Sequence, residues 1–171
     1  MKKYELTKET VTISQKTLYR IRAVRDFGSV KTGDLGGYIE KEENLSHFDD
    51  AWVSGNAKVF DNAWVSDNAE VSGNGKVSGN VWVFGNARIS GNAEIFNTRH
   101  FCTQGPIGSR NGFVTFYRTK DNTVEVKCGC FLGSLQEFVN QVEKTHGGSR
   151  YEKEYKLAVE LAKVCIHLEG E

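Results

Sequence analysis

From Ala51 to Thr98 the apolar positions recur every six residues, in eight consecutive units without a gap. The third place of each unit is a β-branched aliphatic: Val53, Val59, Val65, Val71, Val77, Val83, Ile89 and Ile95. The first place is small in all but one unit, with Ala51, Ala57, Ala63, Ala69, Gly75, Ala87 and Ala93 filling it and Val81 as the exception. In an extended segment residues two apart share a side, so first and third places face one way and second and fourth the other. The pattern therefore predicts very short strands with one dry side, joined by corners at the Gly/Asp-Asn pair that closes each unit. Glycine and asparagine tolerate positive φ, and the Asn side chain can bond nearby backbone. A strict short period of this kind predicts a stacked solenoid.

The flanks follow other patterns. Thr17 to Val24 alternates as a strand, with Arg20 and Arg22 on a solvated side, and the first 35 or so residues predict two short strands capping the open end of the stack. After Thr98 the period stops. Gly105 to Gly112 is a turn-rich lead with the chain's single proline, followed by strands at Phe113–Arg118 and Thr123–Cys128 joined through Lys120-Asp121-Asn122. Ser134-Leu135-Gln136-Glu137 and Ser149-Arg150-Tyr151-Glu152 each have the form of a helix start. Leu135, Phe138, Val139 and Val142 make one apolar stripe; Tyr155, Ala158, Leu161, Ala162 and Cys165 make another. A ββαα module is expected, its helices needing an apolar surface to cover. The predicted organisation is an N-terminal β cap (1–38), the solenoid (39–98) and the C-terminal module (99–171).

Val53-Ser54-Gly55-Asn56-Ala57-Lys58 resembles the hexapeptide repeat of left-handed parallel β-helix proteins. That resemblance implies three units per triangular coil, hence somewhat under three coils from eight units. Ile39 and Leu45, also six apart, would add part of another, but the step of eight from Leu45 to Val53 requires an insertion. With eighteen residues per coil, Trp64 falls under Trp82 and Ser66 under Phe84, strands being about 4.8 Å apart. Phe60, Ser78 and Phe96 share a second column, and Trp52, Glu70 and Arg88 a third. The aromatic column needs a cover, which the C-terminal helices, another subunit or a foreign protein could supply.

A chain of 171 residues with 39% hydrophobic content can bury a core. Net charge is zero, which argues against general nucleic-acid binding through phosphates. No apolar run approaches the roughly 18 residues that span a bilayer, and the start lacks a signal-peptide stretch, so a cytoplasmic location is expected. The four cysteines, Cys102, Cys128, Cys130 and Cys165, are then expected as thiols.

Further motifs look like those of uncharacterised phage and bacterial hexapeptide-repeat proteins. Thr17-Leu18-Tyr19-Arg20-Ile21-Arg22-Ala23 and Gly33 to Ile39 are similar to their leader. Ile107-Gly108-Ser109-Arg110-Asn111, Thr115-Phe116-Tyr117, Gly129-Cys130-Phe131, Gly133, Phe138, Tyr155 and Ala158 are similar to their C-terminal module. The resemblance implies a phage context and the host cytoplasm, but no catalytic residue.

Acyltransferases share the repeat and use a loop histidine as general base. Here His47 precedes and His100 follows the regular coils, and neither interrupts them. The Cys128-Gly129-Cys130 pair lacks zinc-knuckle spacing, and both thiols read as core. Cys130 beside the Ser134 helix start could in principle pair with His146 as a nucleophile, though nothing orients that pair. Gly108, Ser109, Arg110 and Asn111 form a turn that could hold a small anion. The resulting expectation is a non-enzymatic, oligomeric (dimeric or trimeric) binding protein without a cofactor or metal. It would act as an inhibitor of a host defence protein through Trp64, Trp82, Phe84, Arg20 and Arg22, or sequester a nucleotide messenger at the Gly108–Asn111 turn. An acetyl-CoA-dependent acyltransferase and a virion scaffold are the alternatives.

Overall fold

The structure, a computed structural model, describes residues 1–169. The chain divides into two compact units, one Met1–Thr98 and the other beginning at Arg99. The first contains β1 (Tyr4–Ile13), β2 (Lys16–Ala23), β3 (Leu35–Ile39), and the two-residue rungs β4 (Trp52–Val53), β5 (Lys58–Val59), β6 (Trp64–Val65), β7 (Glu70–Val71), β8 (Lys76–Val77), β9 (Trp82–Val83), β10 (Arg88–Ile89) and β11 (Glu94–Ile95).

The rungs stack in parallel on three faces: β3-β5-β8-β11, β4-β7-β10, and β6-β9, the last extended by a parallel bridge from Leu45 to Val65. Partners in the regular coils are eighteen residues apart, as in Trp64↔Trp82 and Glu70↔Arg88. The result is a β-solenoid of about three turns. Every third-place Val or Ile is fully buried, and the first-place residues fill the rest of the interior. From Trp52 to Ser78 alternate amides donate to the coil above at 2.8–3.1 Å, so the backbone is satisfied between coils. The first turn is larger. Tyr38 pairs with Lys58 and Leu45 with Val65, twenty residues on, and the two extra residues lie in the Ser46–Asp50 corner.

The corners differ from the sequence expectation in one respect. The residue at positive φ is the fifth of the unit, Gly55, Asp61, Asp67, Gly73, Gly79, Gly85 and Gly91, and not the Asn that follows. The asparagines build ladders instead, Asn62 to Asn80 at 3.0 Å and Asn74 to Asn92 at 3.5 Å. Where Asp occupies the corner it works for its place: Asp61 accepts from the Gly79 amide at 3.1 Å and Asp67 from the Gly85 amide at 2.8 Å. The charge-assisted bond offsets the left-handed backbone.

The N-terminal strands are longer than expected. The β1-β2 hairpin joins the β3 edge antiparallel and so pairs the open edge of the first coil on that face. Leu18, Tyr38 and Phe60 form a small core there with Val11 and Ile13, so Phe60, expected on an outer column, is buried. Gly36 and Gly37 allow the close approach: a Cβ on Gly36 would lie 2.6 Å from the Val53 carbonyl oxygen, and one on Gly37 2.7 Å from that of Ala57.

The second unit holds four strands where two were expected: β12 (Phe101–Ile107), β13 (Gly112–Arg118), β14 (Val124–Cys128) and β15 (Phe131–Ser134), in the order β12-β13-β14-β15, all antiparallel. The supposed turn at Gly105-Pro106 lies inside β12, an edge strand where proline is tolerated, and the register shifts between Gln104 and Ile107. Helices α1 (Leu135–His146) and α2 (Arg150–Cys165) follow, α1 opened by a Ser134–Glu137 capping box and α2 by Ser149 accepting from the Glu152 amide. Phe138, Val142, Ala158, Val159 and Ala162 pack on Val114, Phe116 and Val126. The helices thus cover their own sheet. Leu161, placed on the buried stripe by its spacing, is exposed with Leu157 and Val164. Among the described residues no helix is long and apolar enough to cross a membrane.

Candidate functional site

The stacking of coils sets outward side chains eighteen residues apart directly above one another. Arg88 lies 3.6 Å from Glu70 and Lys76 3.8 Å from Glu94, so charges on two faces are paired along the column. Trp52, at the foot of the Glu70–Arg88 column, is buried edge-on against Phe27 and Tyr4.

The β6-β9 face is different. Trp64 and Trp82 stack at 5.0 Å between ring centroids and 18° between planes, and Phe84 leans on Trp82 at 5.0 Å and 47°. These rings remain 40%, 48% and 52% exposed. Trp82 Nε1–H donates to Ser66 Oγ at 2.7 Å, which fixes the indole. Ser66, expected on the outside beneath Phe84, is buried. Sequence reasoning missed Phe48, 75% exposed two residues after Ser46, whose amide bonds the Val65 carbonyl at the start of this face. The step of eight between Leu45 and Val53 was its signal, because an extra pair of residues in a solenoid must protrude.

Arg20 and Arg22, expected on the same interaction surface, are engaged within the hairpin. Arg20 donates to the Gly36 carbonyl at 3.1 Å and to Glu9 at 2.9 Å, and Arg22 Nε donates to Glu5 at 2.9 Å. The Glu9 carboxyl is held below its usual range by Arg20 and Tyr38. The structure does not bring these arginines into the aromatic column.

The Gly108–Asn111 turn joins β12 to β13. Its Asn111 amide donates to the Gly108 carbonyl at 3.1 Å, and the Gly108 amide donates to Glu154 Oε2 at 2.7 Å. The amide that would receive an anion is given to an internal carboxylate. Gly108, at φ +74°, also lies so close to Tyr155 that a Cβ would meet the phenol oxygen at 2.0 Å. Ser109, Arg110 and Asn111 are exposed. The arrangement latches the turn to α2.

His47 occupies the enlarged first corner, contrary to the expectation that no histidine interrupts the coils. Its ring stacks on Tyr4 at 4.2 Å, its Nδ1 accepts from the Lys3 amide at 3.3 Å, and its Nε2 lies 3.7 Å from Glu42. Burial lowers its pKa. Lys3 beside it is fully buried, donating to the carbonyls of Phe48 at 3.1 Å, Asp49 at 3.2 Å and Ala51 at 2.7 Å. These groups hold the corner together. His100 is buried after the last rung.

Of the Cys128/Cys130 pair only Cys128 is partly buried, its thiol pushed up by burial; Cys130 is exposed in the turn. His146 packs against Tyr151 and Tyr155. Among the described residues no group of three or more His, Cys, Asp or Glu side chains is placed to hold a metal ion. Comparison of the sequence with protein-family models and with curated proteins returns no match.

Proposed function

We propose that this chain is a non-enzymatic binding protein whose working surface is the Trp64, Trp82 and Phe84 face, offered to a protein partner. The observation that carries this reading is the exposed, stacked indole pair on the β6-β9 face of the solenoid. Aromatic anchors in a rigid setting lose little side-chain freedom on association and are enriched where binding energy concentrates. The rung backbone and the Ser66 bond set the Trp82 ring before any partner arrives. The narrower form of the proposal is a phage-encoded, oligomeric hexapeptide-repeat protein with a left-handed β-helix, acting in the host cytoplasm against a defence system. It rests on the resemblance of the leader and the C-terminal motifs.

The test is affinity capture from host lysate by the full chain, read by native mass spectrometry, with a Trp64→Ser/Trp82→Ser double variant as comparator. Wild type should retain a discrete protein that the variant loses while keeping its far-ultraviolet circular dichroism. Retention by the double variant would place the surface elsewhere. Acetyl-CoA turnover that vanished in His47→Ala or His100→Ala would replace the binding reading with an acyltransferase.

A further inference from the structure

Helix α2 carries two apolar faces, and its own sheet uses one. Ala158, Val159 and Ala162 are buried in the core with Val114, Phe116 and Val126. On another side Leu157, Leu161 and Val164 stay 71%, 43% and 77% exposed. Spacings of four and then three residues set them in one stripe along the helix. Single exposed apolar side chains are ordinary, but three in register make a patch. The four-then-three spacing is that of the seam between two paired helices, so the stripe has the shape to take another helix.

The charges beside the stripe select which helix fits. Glu160 and Lys163 flank it, 67% and 53% exposed, and pair with each other at 2.7 Å. In a parallel pairing of two copies each would face its like, whereas reversing one helix lets opposite signs meet. A two-fold axis at Leu161 sets Leu157 within one residue, about 1.5 Å along the helix, of the level of Val164 in the second copy. Glu160 is equally close in level to Lys163 of that copy, and the two Leu161 side chains meet at the centre. Opposed directions also place the positive end of each helix dipole beside the negative end of the other. The charges of α2 are close to balanced, Arg150, Lys153, Lys156 and Lys163 against Glu152, Glu154 and Glu160, and the whole chain has zero net charge. No net field therefore opposes the approach of a second copy.

We infer that α2 is a self-association surface, through which two copies of the chain pair antiparallel about a two-fold axis at Leu161. Such an interface uses the same patch on both copies and closes at two subunits. The stripe amounts to a few hundred Å² on each copy, at the low end for specific association, so the dimer is weak and depends on concentration. The inference supplies an interface for the oligomeric part of the reading above and uses nothing of the Trp64 and Trp82 face.

The experiment is sedimentation velocity on the full chain at rising concentration, up to about 200 µM. Wild type should move from monomer toward dimer, and a Leu157→Lys/Leu161→Lys variant should stay monomeric while keeping its far-ultraviolet circular dichroism. Lys163→Glu should weaken the pairing, because it leaves four carboxylates along the seam, and the charge-exchanged variant Glu160→Lys/Lys163→Glu should restore it. A wild type that is monomeric at about 200 µM would overturn the inference together with the oligomeric part of that reading. A trimer, or a dimer that the two leucine substitutions leave unchanged, would overturn α2 as the interface and let the oligomer stand. Should the leucine variant fail to fold, the charge series decides: equal association by wild type, Lys163→Glu and the exchanged variant would also end the inference. Capture through the tryptophan face is settled separately by its own double variant.

Discussion

Replacing Lys3 by Met should expose how the enlarged first corner is held. The Lys3 ammonium is fully buried, gives its hydrogens to three carbonyls of the Phe48–Ala51 segment, and lies 4.8 Å from the centre of the Phe27 ring. Burial, opposed by the nearby Asp50 carboxylate, lowers its pKa from 10.5 to about 8. The unfolded chain therefore keeps a proton between about 8 and 10.5 that the folded chain has released, and stability attributable to Lys3 rises with pH across that window. At about 1.36 kcal/mol per pKa unit the depression corresponds to about 3 kcal/mol in all, of which about 2 kcal/mol is recovered between pH 7 and pH 9.5. Lys3→Met leaves the Ala51 carbonyl without this donor in a buried site, a loss of about 1–3 kcal/mol at pH 7. The assay is urea unfolding followed by tryptophan fluorescence, which reports on the solenoid unit alone because all three tryptophans, Trp52, Trp64 and Trp82, lie in it. Tyr4 titrates in the opposite sense, since burial raises its pKa, so the informative quantity is wild type minus variant. A difference that stays flat from pH 7 to pH 9.5 would refute the account of Lys3 as a buried charge.

Other perturbations test the remaining supports. Gly73→Ala places a Cβ 2.9 Å from the Gly91 amide nitrogen at φ +62°, whereas Gly85→Ala, at φ +67°, meets nothing within 4 Å. Gly85→Ala should cost about 1–2 kcal/mol for the backbone alone, and Gly73→Ala measurably more in the same urea assay; equal losses would show that the glycine column is not packed. His47→Asn can keep an acceptor for the Lys3 amide but removes the titration. Because burial lowers the folded pKa of His47, wild type should lose stability relative to this variant as pH falls below about 6.5, and parallel acid profiles would contradict that. Ser134→Ala removes the cap of α1 and should cost about 1 kcal/mol, read by far-ultraviolet circular dichroism because both helices lie in the second unit.

The solenoid interior was legible because two-residue alternation leaves no choice: a small residue and an aliphatic two apart must share the dry side, and Val53 to Ile95 do so. The insertion was legible as a spacing, but its filling was not, since Lys3 reaches it from more than forty residues away in sequence. Phe60 and Ser66 were misplaced for the same reason: alternation gives the side a residue faces, not whether the hairpin or a neighbouring indole then covers it. Strands β12 and β15 went unread because Gly105-Pro106 and the glycines around Phe131 carry turn chemistry. Both are edge strands, where that chemistry is compatible with pairing on one side.

The candidate site follows from the same column logic. In a stack of identical coils an outward residue has neighbours chiefly at eighteen before and after, so surface chemistry is settled column by column. Opposite charges in a column neutralise one another, as Glu70 does Arg88, and amides form ladders, as Asn62 does with Asn80. Indoles stack, but stacking covers one face of each ring and leaves the outer edges in water. The β6-β9 column thus keeps apolar surface over after its internal pairing, and two coils suffice to build it. Binding there should respond to a change at a single rung, Trp82→Ser, because that rung supplies the middle ring of the three, contacting both Trp64 and Phe84. The interior beneath, carried by Val65 and Val83, stays unchanged.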